Sequence, residues 1–310
     1  MMPARAPVVV IGGPTASGKS GLALAIAAAL HGTVINADSM QLYDGLPILT
    51  AHPSAADKTA VPHRLYGILS PDDTCTAARW RNMAIDEIRQ AQADHRLPVI
   101  AGGTGFYINA LLNGLSPIPA VPPHFRDAAI EKQRTLGNPA FHAALAERDP
   151  ETAKNLDPYN TQRVVRAWEV LDATGRGLAA WQAAPRTAPP DDLAFLTITL
   201  IPDRDALYDT CNRRFAHMLQ AGAIDETRDF MPRCPDGAAL ENALGYPELC
   251  AYLRGDISLD DASARACQST RRYAKRQTTW FRNQIDAQLR LTTPDPAPAI
   301  DWITQRIAAL

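Results

Sequence analysis

The stretch VVVIGGPTASGKS, residues 8–20, decides the fold. Residues 8–11 are a short β-branched run closed by glycines, which predicts a buried strand. Gly13, Gly18, Lys19 and Ser20 then fill the pattern G-x4-G-K-S of a phosphate-binding loop, with Pro14, Thr15, Ala16 and Ser17 between the glycines. In a strand–loop–helix context the glycines let backbone N–H groups converge on phosphate oxygens, and the helix N-terminus adds its positive end. Lys19 suits terminal phosphate oxygens and the Ser20 hydroxyl suits Mg²⁺. A glycine-rich turn without a ligand would leave these specific positions unexplained. The loop is expected to hold a polyphosphate.

Outward from this loop, strands and helices alternate. Residues 22–30 predict a helix and 33–35 a strand. Residues 75–93 predict a helix with Trp80, Ile85 and Ile88 among its apolar positions, and 97–101 a third buried strand before Gly102 and Gly103. Such alternation implies right-handed crossovers and a parallel sheet. SPIPAVPP (116–123) breaks the pattern, and a charged, alanine-rich helical stretch follows to about 182. APRTAPPDD (184–192) precedes a strand at 193–201, residues 203–290 are mainly helical, and TPDPAP (293–298) precedes a terminal helix. The fold class is therefore α/β: a P-loop NTPase-like core with a parallel sheet, plus a helical insertion domain. The expected boundaries are 1–123, 124–184 and 185–310.

Composition narrows the setting. With 310 residues, 46% of them hydrophobic, the chain can bury a sizeable core, and its net charge of −2 gives no global sign of a nucleic-acid partner. Five scattered cysteines suit reduced thiols better than disulfides or zinc. The opening MMPARAPVVVIGG has too short an apolar stretch for a signal peptide or a membrane span, so a soluble cytoplasmic protein of bacterial style is expected. The seven histidines show no ligand spacing and are expected to be structural or superficial.

A phosphate loop alone does not separate a kinase, an ATPase and a transferase. A nucleoside triphosphatase normally carries an aspartate at the end of a further strand to hold Mg²⁺. Here residues 97–101 run into Gly102-Gly103-Thr104 without an acid. The acid is Asp38, in NADSMQLY, after the second strand. There it could serve as a general base, or merely cap a turn with Ser39; the residue types leave both open. A small-molecule kinase and a transferase with a diphosphate donor both survive. One local feature favours a polyanion. Between 262 and 290, Arg265, Arg271, Arg272, Lys275, Arg276, Arg282 and Arg290 face Asp286 alone, a net charge of +6. With Tyr273, Trp280 and Phe281 interleaved, that stretch suits a phosphate backbone, although a solvated helix with aromatics packed inward would look similar.

Together, GPTASGKS (13–20), NADSMQLYDGL (36–46), AGGTGFYINALLNGLSP (101–117), RVVRAWEVLDATG (163–175), RRFAHMLQAG (213–222), LGYPEL (244–249) and TRRYAKRQTTWFRN (270–283) resemble the bacterial tRNA dimethylallyltransferase (isopentenyltransferase) family, in family order and across nearly the whole chain. The resemblance implies transfer of a dimethylallyl group from dimethylallyl diphosphate to the exocyclic amine of the adenine 3′ of the anticodon, in tRNAs reading codons that start with U. The loop would then hold a leaving group, and no nucleotide would be hydrolysed. By the same resemblance Asp38 is the base, Thr104 positions the reactants, Arg214 contacts diphosphate with residues 13–20, and Mg²⁺ sits at Ser20. The implied tRNA contacts are Asp38, Ser39, Met40, Gln41, Thr104, Arg126, Gln162, Arg163, Val164, Val165, Arg166, Asn242, Ala243, Leu244, Gly245, Tyr246 and Pro247. Gln41 has the donor and acceptor needed to read a base edge, and the target adenine must be flipped out to be reached.

The implied partners are the tRNA anticodon stem-loop and dimethylallyl diphosphate, with no membrane, and a monomer is expected. Residues 45–54 depart from the family wording, as do Asn242 and Pro247. The other readings are a P-loop kinase, a non-catalytic RNA-binding P-loop protein, and an isopentenyltransferase for free adenine nucleotides. The basic stretch and the large insertion argue against the last.

Overall fold

The computed structural model describes residues 5–310. Among these, six strands form one all-parallel sheet: β1 (Ala6–Gly12), β2 (Gly32–Asn36), β3 (His63–Arg64), β4 (Leu97–Gly102), β5 (Leu193–Leu200) and β6 (Leu289–Leu291). Their order is β3-β2-β4-β1-β5-β6. The central strands read as continuous apolar runs because both faces are covered, as parallel sheets require. The two-residue period divides them. Val8, Val10, Ile35 and Ile100 join a core with Trp80, Ile88 and Phe281. Val9, Ile11, Val34, Val99 and Ile198 join another with Leu22 and Ile26 of helix Lys19–Ala29 and Ile303 of helix Ala297–Ala308.

The register aligns the strand ends that matter. Gly12 pairs with Gly102 on one side and Thr199 on the other, and Asn36 pairs with Ala101. The loops after β1, β2 and β4 thus leave from one edge, where open parallel sheets bind ligands. Close backbone approach explains Gly102: a Cβ there would lie 2.1 Å from the carbonyl carbon and oxygen of Ala37.

Two edge strands were not expected. β3 has two residues and β6 three, both too short for a periodic signal, and each is held by pairing with a longer neighbour. β6 also corrects the reading of 203–290 as mainly helical at its end. The long helix spans Leu259–Gln284 and stops at Ile285, whose backbone is extended. Asp286 and Arg290 therefore lie outside it, Arg290 on β6. From Ala262 to Gln284 the helix carries Arg265, Arg271, Arg272, Lys275, Arg276 and Arg282 with no acid at all.

The described chain divides into two compact units, one running to Leu112 and resuming at Pro190–Leu310, the other spanning Asn113–Pro189. The second unit is helical, with helices Pro123–Leu136, Asn138–Arg148, Pro150–Ala153, Thr161–Thr174 and Leu178–Gln182. Its core gathers Phe141, Leu145, Val164, Val165 and Trp168. No helix among the described residues is long and apolar enough to cross a membrane.

Gly102→Ala is expected to lower stability by about 1–3 kcal/mol, the usual scale of overpacking, because the clash is with backbone. Urea unfolding checks this; an unchanged midpoint would mean that β2 and β4 do not end as described.

Candidate active site

The loop after β1 has two residues in the left-handed region, Ala16 (φ 63°) and Gly18 (φ 91°). Such turns aim successive N–H groups inward. For Ala16 the conformation costs about 1 kcal/mol, a strain typical of ligand-holding loops. Helix Lys19–Ala29 starts on Gly18, and its first N–H groups have no intrahelical partner. Ser17 Oγ is buried without a hydrogen-bond partner. Lys19 is buried, and its Nζ donates to the Pro14 carbonyl at 3.2 Å. Burial pulls the ammonium down to about 8, the Asp38 charge opposes this, and Arg214 adds to it. Arg214, on helix Arg204–Gln220, donates to Thr15 Oγ1 at 3.3 Å, and burial also lowers its guanidinium from the ordinary value. Neither cation forms an ion pair among the described residues. A buried ammonium and a half-buried guanidinium with one carboxylate in range make a receptacle for an anion.

That carboxylate is anchored from below by Asn36, which is fully buried. Asn36 Oδ1 accepts from the Asp38 N–H at 2.7 Å, and its Nδ2 donates to the carbonyls of Asp38 and Leu65 at 2.9 Å each. Trp80 Nε1 donates to the Asn36 carbonyl at 2.9 Å. Asp38 Oδ1 accepts from the Met40 N–H at 3.1 Å. Oδ2 makes no hydrogen bond among the described residues and lies beside Gly103, 3.2 Å from where a Cβ would be. One oxygen caps the turn and the other is unengaged. Thr104 Oγ1 accepts from the Ser39 N–H at 2.9 Å and donates to Ser39 Oγ at 3.2 Å, tying the loops after β2 and β4 together.

Sequence reasoning missed Gln277. From the inner face of the long helix its Oε1 accepts from the Thr15 N–H at 2.8 Å, and its Nε2 donates to the Gly103 carbonyl at 2.8 Å. The signal was present. Ala266, Thr270, Ala274, Gln277 and Phe281 form the buried stripe, and an amide in such a stripe needs buried partners.

Beside Arg214 lies an open pocket of about 550 Å³, walled by Pro47, Ile48, Ala51, Met218 and Ala221 and edged by His52, Arg213 and His217. A smaller cavity, about 140 Å³, is lined by Ser20, Gln41, His52, His63 and Tyr66 among others. His52 Nε2 is buried without a partner, and burial lowers its pKa, so the ring is neutral at pH 7. The departing stretch 45–54 is pinned by Glu226, also missed, whose carboxylate accepts from the N–H groups of Ile48 (2.6 Å) and Leu49 (2.9 Å). Gln41 Nε2 donates to the carbonyls of Thr50 (2.8 Å) and Ala51 (2.7 Å). Its amide hydrogens thus serve this loop, and only Oε1 remains to meet a base; the expected donor is already engaged.

Of the other expected RNA contacts, Asn242 and Pro247 are exposed and Leu244 is half-buried. Ala243, Gly245 and Tyr246 are buried, Tyr246 edge-on to Phe230 at 5.7 Å. In the helical unit Gln162 and Arg163 are exposed. Val164 and Val165 point into that unit's core, because the helical repeat turns them away from residues 162, 163 and 166. Their side chains offer no RNA contact, which corrects that expectation. Arg166 meets Glu169 at 2.6 Å and Arg126 meets it at 3.6 Å, while Glu169 itself is only 2% exposed.

The sequence model of the family described as IPP transferase matches residues 41–284. A tRNA dimethylallyltransferase of Rhodospirillum centenum is 54% identical over 301 residues, covering 97% of this chain and 95% of its own. The crystal structure of the tRNA isopentenylpyrophosphate transferase of Bacillus halodurans superposes with a TM-score of 0.69 at 33% identity, covering 98% and 96% of the two chains. A eukaryotic dimethylallyltransferase solved acting on tRNA superposes with a TM-score of 0.78, covering 98% of this chain and 77% of that one; at 23% identity it speaks for the fold alone. The chain belongs to the IPP transferase family.

An anion beside Lys19 raises its pKa above the free value of about 8. Inorganic diphosphate is therefore expected to bind with proton uptake above pH 8 and to lose affinity as pH rises through that value, a dependence absent from Lys19→Gln. Titration calorimetry in buffers of different ionisation enthalpy checks this, and identical pH profiles for the two proteins would refute it. Gln277→Leu is expected to weaken diphosphate binding about tenfold, roughly 1.4 kcal/mol, with its fold intact; wild-type affinity would remove Gln277 from the site.

Proposed function

We propose that this member of the IPP transferase family transfers a dimethylallyl group from dimethylallyl diphosphate to the exocyclic amine of the adenine 3′ of the anticodon, in tRNAs reading U-starting codons. The observation that carries the reading is Asp38 Oδ2, an unengaged carboxylate oxygen beside a phosphate loop that holds the buried Lys19 and meets the half-buried Arg214.

An adenine amine is a weak nucleophile because its lone pair is delocalised into the ring. An allylic diphosphate compensates by ionising easily when the departing charge is stabilised. The loop N–H groups, Lys19 and Arg214 supply that stabilisation in place, without reorganisation. The allylic C–O bond breaks with its electron pair going to diphosphate, the N–C bond forms, and the amine proton passes to Asp38 Oδ2. Asn36, Ser39 and Thr104 hold that carboxylate in position. The apolar pocket beside Arg214 suits the five-carbon chain.

Ser20 and the orphaned Ser17 hydroxyl, hard oxygen donors at the start of the helix, would hold Mg²⁺. When bound, the ion would add positive charge against the leaving group. In this reading Ser39, Met40, Gln41 Oε1, Thr104, Arg126, Gln162, Arg163, Arg166, Asn242, Leu244 and Pro247 meet the tRNA, and residues 124–184 clasp its anticodon arm. In this reading the enzyme works in the cytoplasm as a monomer. A nucleoside triphosphatase normally carries an acid at the end of a further strand, whereas Gly103-Thr104 follow β4, the strand beside β1.

Incubation with tRNA, Mg²⁺ and dimethylallyl diphosphate, followed by mass spectrometry of the nucleosides, is expected to show a dimethylallyl gain on one adenosine. Asp38→Ala should lower turnover at least about 100-fold, the usual scale for a general base, with tRNA affinity within a few-fold. A fully active Asp38→Ala protein would rule out the general base. Consumption of ATP with a small alcohol and no tRNA product would favour the kinase.

A further inference from the structure

One wall of the pocket beside Arg214 is a segment with no strand or long helix of its own. Residues 46–52 close on themselves through short-range bonds. The N–H groups of Thr50, Ala51 and His52 donate to the carbonyls of Leu46 (2.9 Å), Ile48 (3.0 Å) and Pro47 (2.9 Å). Ala51 adopts the left-handed region there (φ 54°). Leu46 and Leu49 are buried in the core with Phe230 and Tyr246, whereas Pro47, Ile48, Ala51 and His52 line the pocket. A turn that opens in this way leaves its first N–H groups without local partners. At Ile48 and Leu49 the partner is one carboxylate from a distant part of the chain, Glu226.

Glu226 stands on helix Ala223–Phe230, half-buried, and forms no ion pair among the described residues. Its neighbour Asp225 is exposed and pairs with Arg228. Burial raises the Glu226 carboxyl from its ordinary value, and the two N–H groups pull it back. A carboxylate withdrawn from water without a cation depends on such donors, and charge-assisted bonds of this kind hold their partners firmly. The far end of the segment is held by Gln41 Nε2 on the carbonyls of Thr50 and Ala51. Two side chains from other elements thus fix the wall, Glu226 at its start and Gln41 at its end.

We propose that Glu226 is a specificity-determining residue for the donor: through Ile48 it fixes the wall against which the allylic chain packs, and so sets the chain length that the pocket prefers. Glu226 does not line the pocket and acts as a positioning residue. A wall held in advance needs no ordering when the hydrocarbon arrives, so binding a chain that fits it is strengthened. A released wall re-packs around chains of different length and discriminates less between them. The inference rests on the reading of dimethylallyl diphosphate as the donor, with its hydrocarbon beside Arg214, and names what keeps that part of the site in shape.

The test compares dimethylallyl, geranyl and inorganic diphosphate binding to the full chain. Glu226→Gln keeps the shape but turns an amide NH₂ toward one of the two N–H groups, which releases the wall at its start. Affinity for dimethylallyl diphosphate should fall about tenfold, the scale of one methylene in an apolar pocket, and the preference for it over geranyl diphosphate at least about fivefold. Affinity for inorganic diphosphate, which has no hydrocarbon, should stay within about twofold. Ile48→Ala should reproduce these changes, and Glu226→Gln added to it should weaken the donor by less than about a further twofold, because Glu226 acts through Ile48. Unchanged donor affinity in either variant, or full additivity of the two, would overturn the inference. A parallel loss of inorganic diphosphate would assign Glu226 to general stability and also overturn it. In each of these cases transfer by the wild type leaves the reaction reading intact. Wild-type protein that binds dimethylallyl diphosphate no more tightly than inorganic diphosphate, and transfers nothing to tRNA, would overturn both.

Discussion

The site depends on one side-chain amide. Gln277 accepts from the N–H of Thr15 and donates to the carbonyl of Gly103, so a single buried group fixes the distance between the phosphate loop after β1 and the loop after β4. These loops are about 90 residues apart in sequence and are adjacent only because β1 and β4 are neighbours in register. Glycine at 103 follows from the same contact, since a Cβ there would lie 2.5 Å from the amide nitrogen. Breaking either bond inside the protein leaves a buried polar group without a partner, at a cost of about 1–3 kcal/mol.

Charge is arranged with equal economy. Lys19 is buried and Arg214 half-buried beside the loop, and Asp38 is the carboxylate that answers both electrostatically. The protein therefore carries an unmet demand for negative charge where a diphosphate would sit, and Ala16 keeps a left-handed conformation there that a ligand-free loop would not need. Asp38 divides its two oxygens between holding its own turn and facing the site, and Asn36 beneath it makes that division rigid. Preorganisation of this kind lets fixed dipoles and charges act on a departing anion.

Much of the fold was legible because its cause was local. β1, β2, β4 and β5 announce themselves as continuous apolar runs, and the phosphate loop is defined by four residues in one short stretch. β3 and β6 were illegible because their neighbours supply the pairing. The end of the basic helix was misplaced for the same reason: Leu289 and Leu291 become a strand by adding to β5. Within the site, Asp38, Thr104, Lys19 and Arg214 were nameable from motif wording. Gln277, Asn36 and Glu226 were not, because each acts on backbone groups that only the tertiary fold brings near. Val164 and Val165 show the reverse error, in which motif membership implied contact although helical periodicity already pointed both side chains inward. Arg126 and Arg166 had a partner no spacing rule revealed, the buried Glu169.

A phosphate loop that receives a leaving group hydrolyses nothing. The most direct measurement counts diphosphate released against dimethylallyl groups attached to tRNA, with no nucleoside triphosphate in the reaction. One diphosphate is expected for each group transferred, at a rate that added ATP does not increase. A requirement for ATP, or release of orthophosphate in step with product, would contradict it.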